Sequence, residues 1–252
     1  MAVKLVISGC SGRMGSRIAS LALADSIFTV SGALETASHQ ALGQDVGALL
    51  GRKALGVRVT DNLEAALKDG DVLIEFTSPQ ATVEHVRTAA KLRKAMVIGT
   101  TGLSDAQRSV IQEASRTIPI VFSPNTSVGV NLLFELVQLA AARLGLEYDV
   151  EVVEAHHKAK KDSPSGTAKR LADAIASGRK QPATSIPVHA IRAGDIVGDH
   201  RVIFAGPSER LELTHQAHSR DVFAQGALKA AQFVRSQPPG LYDMSHVLKG
   251  AG

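Results

Sequence analysis

The sequence predicts an α/β protein in which a doubly wound parallel sheet is joined to a second, α+β domain with a mixed, largely antiparallel sheet. Three observations lead there. Short apolar runs alternate with helix-period segments through the first half. A glycine-rich turn, Gly9 to Gly15, links the first strand-like run to the first helical one. After about Asn125, three strand-like runs follow one another without helices between them. At 252 residues the chain is long enough for two modest domains with real cores. The expected division places residues 1–126, completed by 219–252, in the first domain and residues 127–218 in the second.

Val3 to Ile7 is β-rich and stops at Gly9. Met14, Ile18, Leu21 and Ala22 then recur at helical spacing. Further strands are expected at Phe28 to Leu34, Val72 to Phe76, Met96 to Ile98 and Ile118 to Phe122, each nearly continuous in apolar residues, as strands buried on both faces are. Ser78-Pro79 reads as an N-cap followed by a proline at the first helical position. Ser104 and Gln107 have capping-box spacing. Beyond Asn125 the periodicity predicts a long helix over Val128 to Leu144 and a strand over Tyr148 to Ala155. A helix after Pro164 follows, with Ala168, Leu171, Ala172 and Ile175 on one face. Strands are expected at Ile186 to Arg192, His200 to Phe204 and Arg210 to His218, and a last helix at Asp221 to Val234 that packs back on the first domain. Ser177 to Pro182 and Gln237 to Gly240 read as loops.

Composition removes several function classes. Lys and Arg total 28 against 24 Asp and Glu, a net charge of +4 that does not by itself indicate nucleic-acid binding. With seven Phe, two Tyr and no Trp, base-stacking platforms are not expected either. The single cysteine, Cys10, excludes an internal disulfide and a cysteine zinc cage and suits a reducing compartment. The apolar start is too short to span a membrane, and Val128 to Leu146 is interrupted by Asn131, Glu135, Gln138 and Arg143, so no membrane partner is expected and a cytoplasmic location is.

Gly9-Cys10-Ser11-Gly12-Arg13-Met14-Gly15 sits where a Rossmann-like sheet binds a dinucleotide pyrophosphate, between first strand and first helix. The spacing is G-x-x-G-x-x-G, which alone is a weak signal, since such turns also serve packing. Glu35, at the end of the second strand, strengthens it because a carboxylate there accepts hydrogen bonds from ribose hydroxyls; the competing reading is a solvated loop glutamate. Gly99-Thr100-Thr101-Gly102 and Ser123-Pro124-Asn125-Thr126 each follow a strand of the same sheet, at the end where open α/β sheets bind ligands.

The densest chemistry lies in Glu154 to Ala168, with His156, His157, Lys158, Lys160 and Lys161 followed by the helix start Ser165-Gly166-Thr167. Positive charge beside free N–H groups suits a small anion, and histidine donates a proton near neutral pH. Metal ligation by the histidine pair is the weaker reading, because adjacent strand residues point to opposite faces and no H-E-x-x-H pattern exists. The lysines alone read as a solvated basic loop, which does not account for the histidines and the helix start beside them.

These motifs together, with Arg192-Ala-Gly-Asp195, His200 to Phe204 and Arg220 to Ala224, resemble the dihydrodipicolinate reductase family over essentially the whole chain. The resemblance implies a cytoplasmic homotetramer that uses NADH or NADPH to reduce a cyclic, imine-containing dicarboxylate in the diaminopimelate route to lysine. Carried over, His156 matches the proton donor and Lys160 its catalytic partner; His157, Lys160, Gly166 and Thr167 match substrate-carboxylate positions. Gly9, Cys10, Ser11, Gly12, Arg13, Met14, Glu35, Gly99, Thr100, Thr101, Ser123, Pro124, Asn125 and Thr126 match cofactor contacts. One departure is Thr36, where NADPH-tolerant relatives often carry arginine. A nicotinamide dehydrogenase of another small acid and a non-catalytic dinucleotide sensor are the alternatives; His156 and Lys160 argue against the sensor.

Overall fold

A computed structural model describes residues 1–250. The elements run β1 (Val3–Ser8), α1 (Arg13–Ala22), β2 (Phe28–Leu34), α2 (Val46–Leu49), β3 (Val59–Thr60), α3 (Leu63–Leu67), β4 (Val72–Glu75), α4 (Pro79–Lys91), β5 (Ala95–Ile98), α5 (Asp105–Ala114) and β6 (Pro119–Phe122). They continue as α6 (Val128–Leu144), β7 (Asp149–His156), α7 (Gly166–Arg179), β8 (Val188–Arg192), β9 (Asp199–Ala205), β10 (Arg210–Gln216), α8 (Asp221–Val234), β11 (Gly240–Tyr242) and α9 (Met244–Lys249). The chain divides into two compact units, Met1–Ser127 with Phe223–Gly252, and Val128–Val222.

In the first unit seven parallel strands lie in the order β11-β6-β5-β4-β1-β2-β3. This is a doubly wound order, and the strand sequence reverses between β1 and β4, where such sheets open a ligand crevice. The strands are apolar on both faces: Leu5, Val6, Ile7, Leu73, Ile74, Val97 and Ile98 are all fully buried. Ser78 caps α4, accepting from the Ala81 amide at 3.3 Å, with Pro79 in the first turn. The capping box of Ser104 and Gln107 starts α5.

The second unit is a four-stranded sheet, β10-β9-β7-β8, with only the β7–β8 pair parallel. One sheet face, with Val150, Val152, Val202 and Phe204, packs on Val130, Val137, Leu171 and Ile175 of α6 and α7. Alternation along β7 puts Glu154 and His156 on that same buried face.

Some local expectations need correcting. Ser177 to Arg179 are helical, because α7 continues until Lys180 takes a left-handed φ of 55°. Gly240 is not a loop residue but opens β11, pairing with Pro119. Phe76, Ile118, Ile186 and His218 fall just outside the strands expected to include them. The elements α2, β3, α3, β11 and α9 have no counterpart in the sequence reading.

Candidate active site

The turn after β1 is built for close backbone approach. Gly9 has a φ of +63°, and a Cβ on Gly15 would lie 2.1 Å from the Gly9 carbonyl oxygen. No side chain caps α1 at Gly12, which leaves its first amides for an anion. The Ser11 amide and hydroxyl donate to Glu35 Oε1 at 2.9 and 2.5 Å, aiming the carboxylate across the turn. His39 Nε2 stands 3.3 Å from the same hydroxyl. A cleft of about 750 Å³ runs from here past Arg13, Met14 and Thr36 to Thr77, Ser78 and His85. Its size and its glycine floor fit a dinucleotide.

Not every expected contact lines that cleft. The Cys10 thiol is buried, and burial, reinforced by Glu35, pushes it up to about 12, so it stays protonated. Gly99, Thr100 and Thr101 follow β5 without entering the cleft lining; Thr100 is buried and accepts a hydrogen bond from Thr82 at 2.8 Å. Ser123 and Thr126 are likewise buried, donating to the Asn125 and Phe223 carbonyls at 2.7 Å each, while Pro124 is exposed. All remain at the carboxyl ends of β5 and β6.

Sequence reasoning missed an acid–histidine pair at the cleft wall, where His85 lines the cleft and Glu75 lies buried behind it. Glu75, fully buried at the end of β4, lies 2.5 Å from His85 Nδ1 and accepts the Thr77 amide at 3.0 Å. Nothing in the local sequence marks it, since the residues sit on a strand end and a helix.

In the second unit the central feature is Glu154. Its Oε2 bonds His156 Nδ1, and its Oε1 accepts from the Ser165 amide at 3.1 Å and Arg192 Nη2 at 2.8 Å. Burial alone would raise the Glu154 carboxyl, but Arg192, the Ser165 amide and His156 together outweigh it and hold it below the ordinary carboxylate value. Burial lowers His156, and the Glu154 carboxylate offsets that only partly, with Lys160 and Arg192 opposing the imidazolium further. A carboxylate can only accept, so Nδ1 carries hydrogen and Nε2 is left for a ligand. His200, opposite Glu154 on β9, sets its ring edge-on to His156 with centroids 5.2 Å apart. Burial, with His156 adding to it, pushes His200 down to about 3, so this ring is neutral.

Ser165, tied by its amide to Glu154, caps α7 by accepting from the Ala168 amide at 3.1 Å. Gly166 at the first helical position is exposed with open space around it; Thr167, next in sequence, is half-buried, as is His157 just past the end of β7. Lys160 Nζ pairs with Asp162 at 2.8 Å, and this pairing holds Asp162 below its ordinary value. Glu154 and Arg192 lie in segments the sequence singled out, but neither was given a role in the site. Glu154 carried a usable signal, since positions two apart on a strand share a face; Arg192 reaches the site only through the β7–β8 register, which pairs it with His156.

A parallel sheet ending in a glycine turn and a ribose-type glutamate, together with a second sheet carrying a buried carboxylate–histidine centre, defines a dinucleotide-dependent oxidoreductase. The family models described as dihydrodipicolinate reductase N-terminus and C-terminus match residues 3–126 and 129–248. The chain belongs to the dihydrodipicolinate reductase family, and it is an NAD(P)H-dependent oxidoreductase. It is 47% identical over 262 residues to the 4-hydroxy-tetrahydrodipicolinate reductase of Anaeromyxobacter dehalogenans, covering 97% of each chain. It is 43% identical to that of Geotalea uraniireducens, covering 98% of each. Dipicolinate-bound dihydrodipicolinate reductase from Paenisporosarcina sp. TG-14 superposes with a TM-score of 0.81 at 25% identity, over 96% of this chain and 98% of that one. An amine dehydrogenase from Mycobacterium smegmatis, at 16% identity and a TM-score of 0.67 over 98% of this chain and 96% of that one, shares the fold.

Proposed function

We propose that this chain reduces 4-hydroxy-tetrahydrodipicolinate, by way of dihydrodipicolinate, to tetrahydrodipicolinate in the diaminopimelate route to lysine, with His156 as proton donor. The observation that carries the residue assignment is the buried Glu154–His156 pair, which leaves Nε2 of a fixed ring as the group open to a ligand. When bound, NADH or NADPH supplies a hydride to one carbon of the conjugated imine. The neighbouring electron-rich carbon then needs a proton, and His156 Nε2 supplies it. Lys160 assists that transfer, and His157, Lys160, Gly166 and Thr167 hold the substrate carboxylates at the start of α7.

Glycines 9, 12 and 15 admit the pyrophosphate, with Cys10, Ser11, Arg13 and Met14 completing that turn, and Glu35 takes the ribose hydroxyls. Gly99 to Thr101 and Ser123 to Thr126 serve the nicotinamide side through their backbone. The protein works in the cytoplasm as a homotetramer. No helix among the described residues is long and apolar enough to cross a membrane. The assembly reading is supported by the outward face of the second sheet, where Ile191, 48% exposed, lies opposite Ala155 and shares the face with Val153 and Ile203.

The direct test is the loss of reduced-nicotinamide absorbance with and without freshly generated substrate. Substrate-dependent oxidation of NADH or NADPH is expected. Oxidation only with another small acid would overturn the assignment.

A further inference from the structure

The corner around His156 is buried and already balanced in charge. Glu154 is fully buried and His156 is 7% exposed. The Glu154 carboxylate is met by Arg192 from β8, and Lys160 in the following loop is met by Asp162. From β9 the facing group is His200, which is 3% exposed and whose two ring nitrogens have no hydrogen-bond partner among the described residues. From β10 it is His215, centroid 6.5 Å from His200. A proton on His156 Nε2 would therefore add a net positive charge to a site where, among the described residues, the carboxylate acting on His156 is Glu154, already engaged by Arg192. The neutral ring, with its only hydrogen at Nδ1 turned to Glu154, has nothing to donate from Nε2.

We infer that the substrate's own carboxylates draw a proton onto His156: a dicarboxylate binds together with one proton, taken from solvent onto Nε2. The two negative charges of the ligand supply the counter-charge that the buried corner lacks, and low-dielectric surroundings strengthen that coupling. The downward displacement of His156 by burial in the free protein agrees with a ring that is neutral until the ligand arrives. Each turnover then spends that proton on the substrate carbon and leaves the ring neutral again. The inference rests on His156 being the donor, but its test does not depend on turnover.

The test is calorimetric titration of the full-length protein, saturated with NADH, by dipicolinate near neutral pH in buffers of different ionisation heat. Dipicolinate is a planar dicarboxylate that cannot accept the hydride productively. Uptake approaching one proton per site is expected in the wild type, and none in His156→Gln, which still binds. The sign follows from linkage: the protonated form binds the anion more tightly, so affinity rises as pH falls, by up to tenfold per pH unit between the free and bound pKa values. Should His156→Gln not fold, the wild-type affinity across pH decides alone. Binding with no proton uptake and a flat pH profile overturns the inference while leaving the donor role to kinetics. Undiminished uptake in His156→Gln places the proton elsewhere, His157 being the nearest candidate, and overturns it as well.

Discussion

On the proposed reading, cofactor choice is decided by a few side chains around Glu35. Its carboxylate, aimed by Ser11, favours a free 2′-hydroxyl and repels a 2′-phosphate, and Thr36 beside it offers no compensating charge. Arg13 is the cation in the turn, and it lines the same cleft. NADH is therefore expected to serve at least as well as NADPH. One charge-assisted hydrogen bond contributes about 1.5–3 kcal/mol, so Thr36→Arg should improve kcat/KM for NADPH relative to NADH by roughly ten- to a hundredfold. Arg13→Ala should weaken NADPH use selectively. A wild-type preference for NADPH of about tenfold or more would show that Thr36 does not decide the matter. Glu35 and His156 were legible in the sequence because each sits in a local pattern, a spacing from the glycines in one case and a dense polar segment in the other. The roles of Arg192, His200 and the Glu75–His85 pair were not, because strand register and a strand–helix contact bring them into place.

At the scale of elements, helix caps separate stability from function. Ser104 caps α5 in the first unit, away from every proposed substrate residue in sequence, whereas Ser165 caps α7 where its amide also meets Glu154. Ser104→Ala should cost about 1 kcal/mol, lowering Tm by roughly 2–4 °C, with KM for the dicarboxylate unchanged. Ser165→Ala should cost a similar amount and also raise KM for the dicarboxylate, because the loosened first turn carries Gly166 and Thr167. Thermal melts and steady-state kinetics on both variants check this, and an unchanged KM in Ser165→Ala contradicts the helix-start role. Long uninterrupted patterns were readable to the residue, as in β2, α6 and α8. The segment from α2 to α3 was not. Its four-residue helix and two-residue strand are too short for periodicity. They are organised instead by Asp45, which accepts from the amides of Gly47, Ala48, Leu55 and Gly56. The strand β11 was hidden similarly, being three half-buried residues at the sheet edge.

For the whole molecule, the outward face of the four-stranded sheet sets the expected assembly. Val153, Ala155, Ile191 and Ile203 form its apolar strip, with the Glu151–His189 and Arg201–Glu212 pairs on the same face. Mass measurement in solution should give four chains, and Ile191→Lys should lower that number without unfolding the monomer; an unchanged mass would place the interface elsewhere. In the proposed function the reaction rests on one histidine held by a buried carboxylate. The most direct test compares His156→Gln with wild type, measuring kcat with freshly generated substrate and dipicolinate affinity on the same samples. The account predicts kcat lower by about 10²–10⁴-fold, with the variant still binding dipicolinate; unchanged turnover in the variant would contradict it.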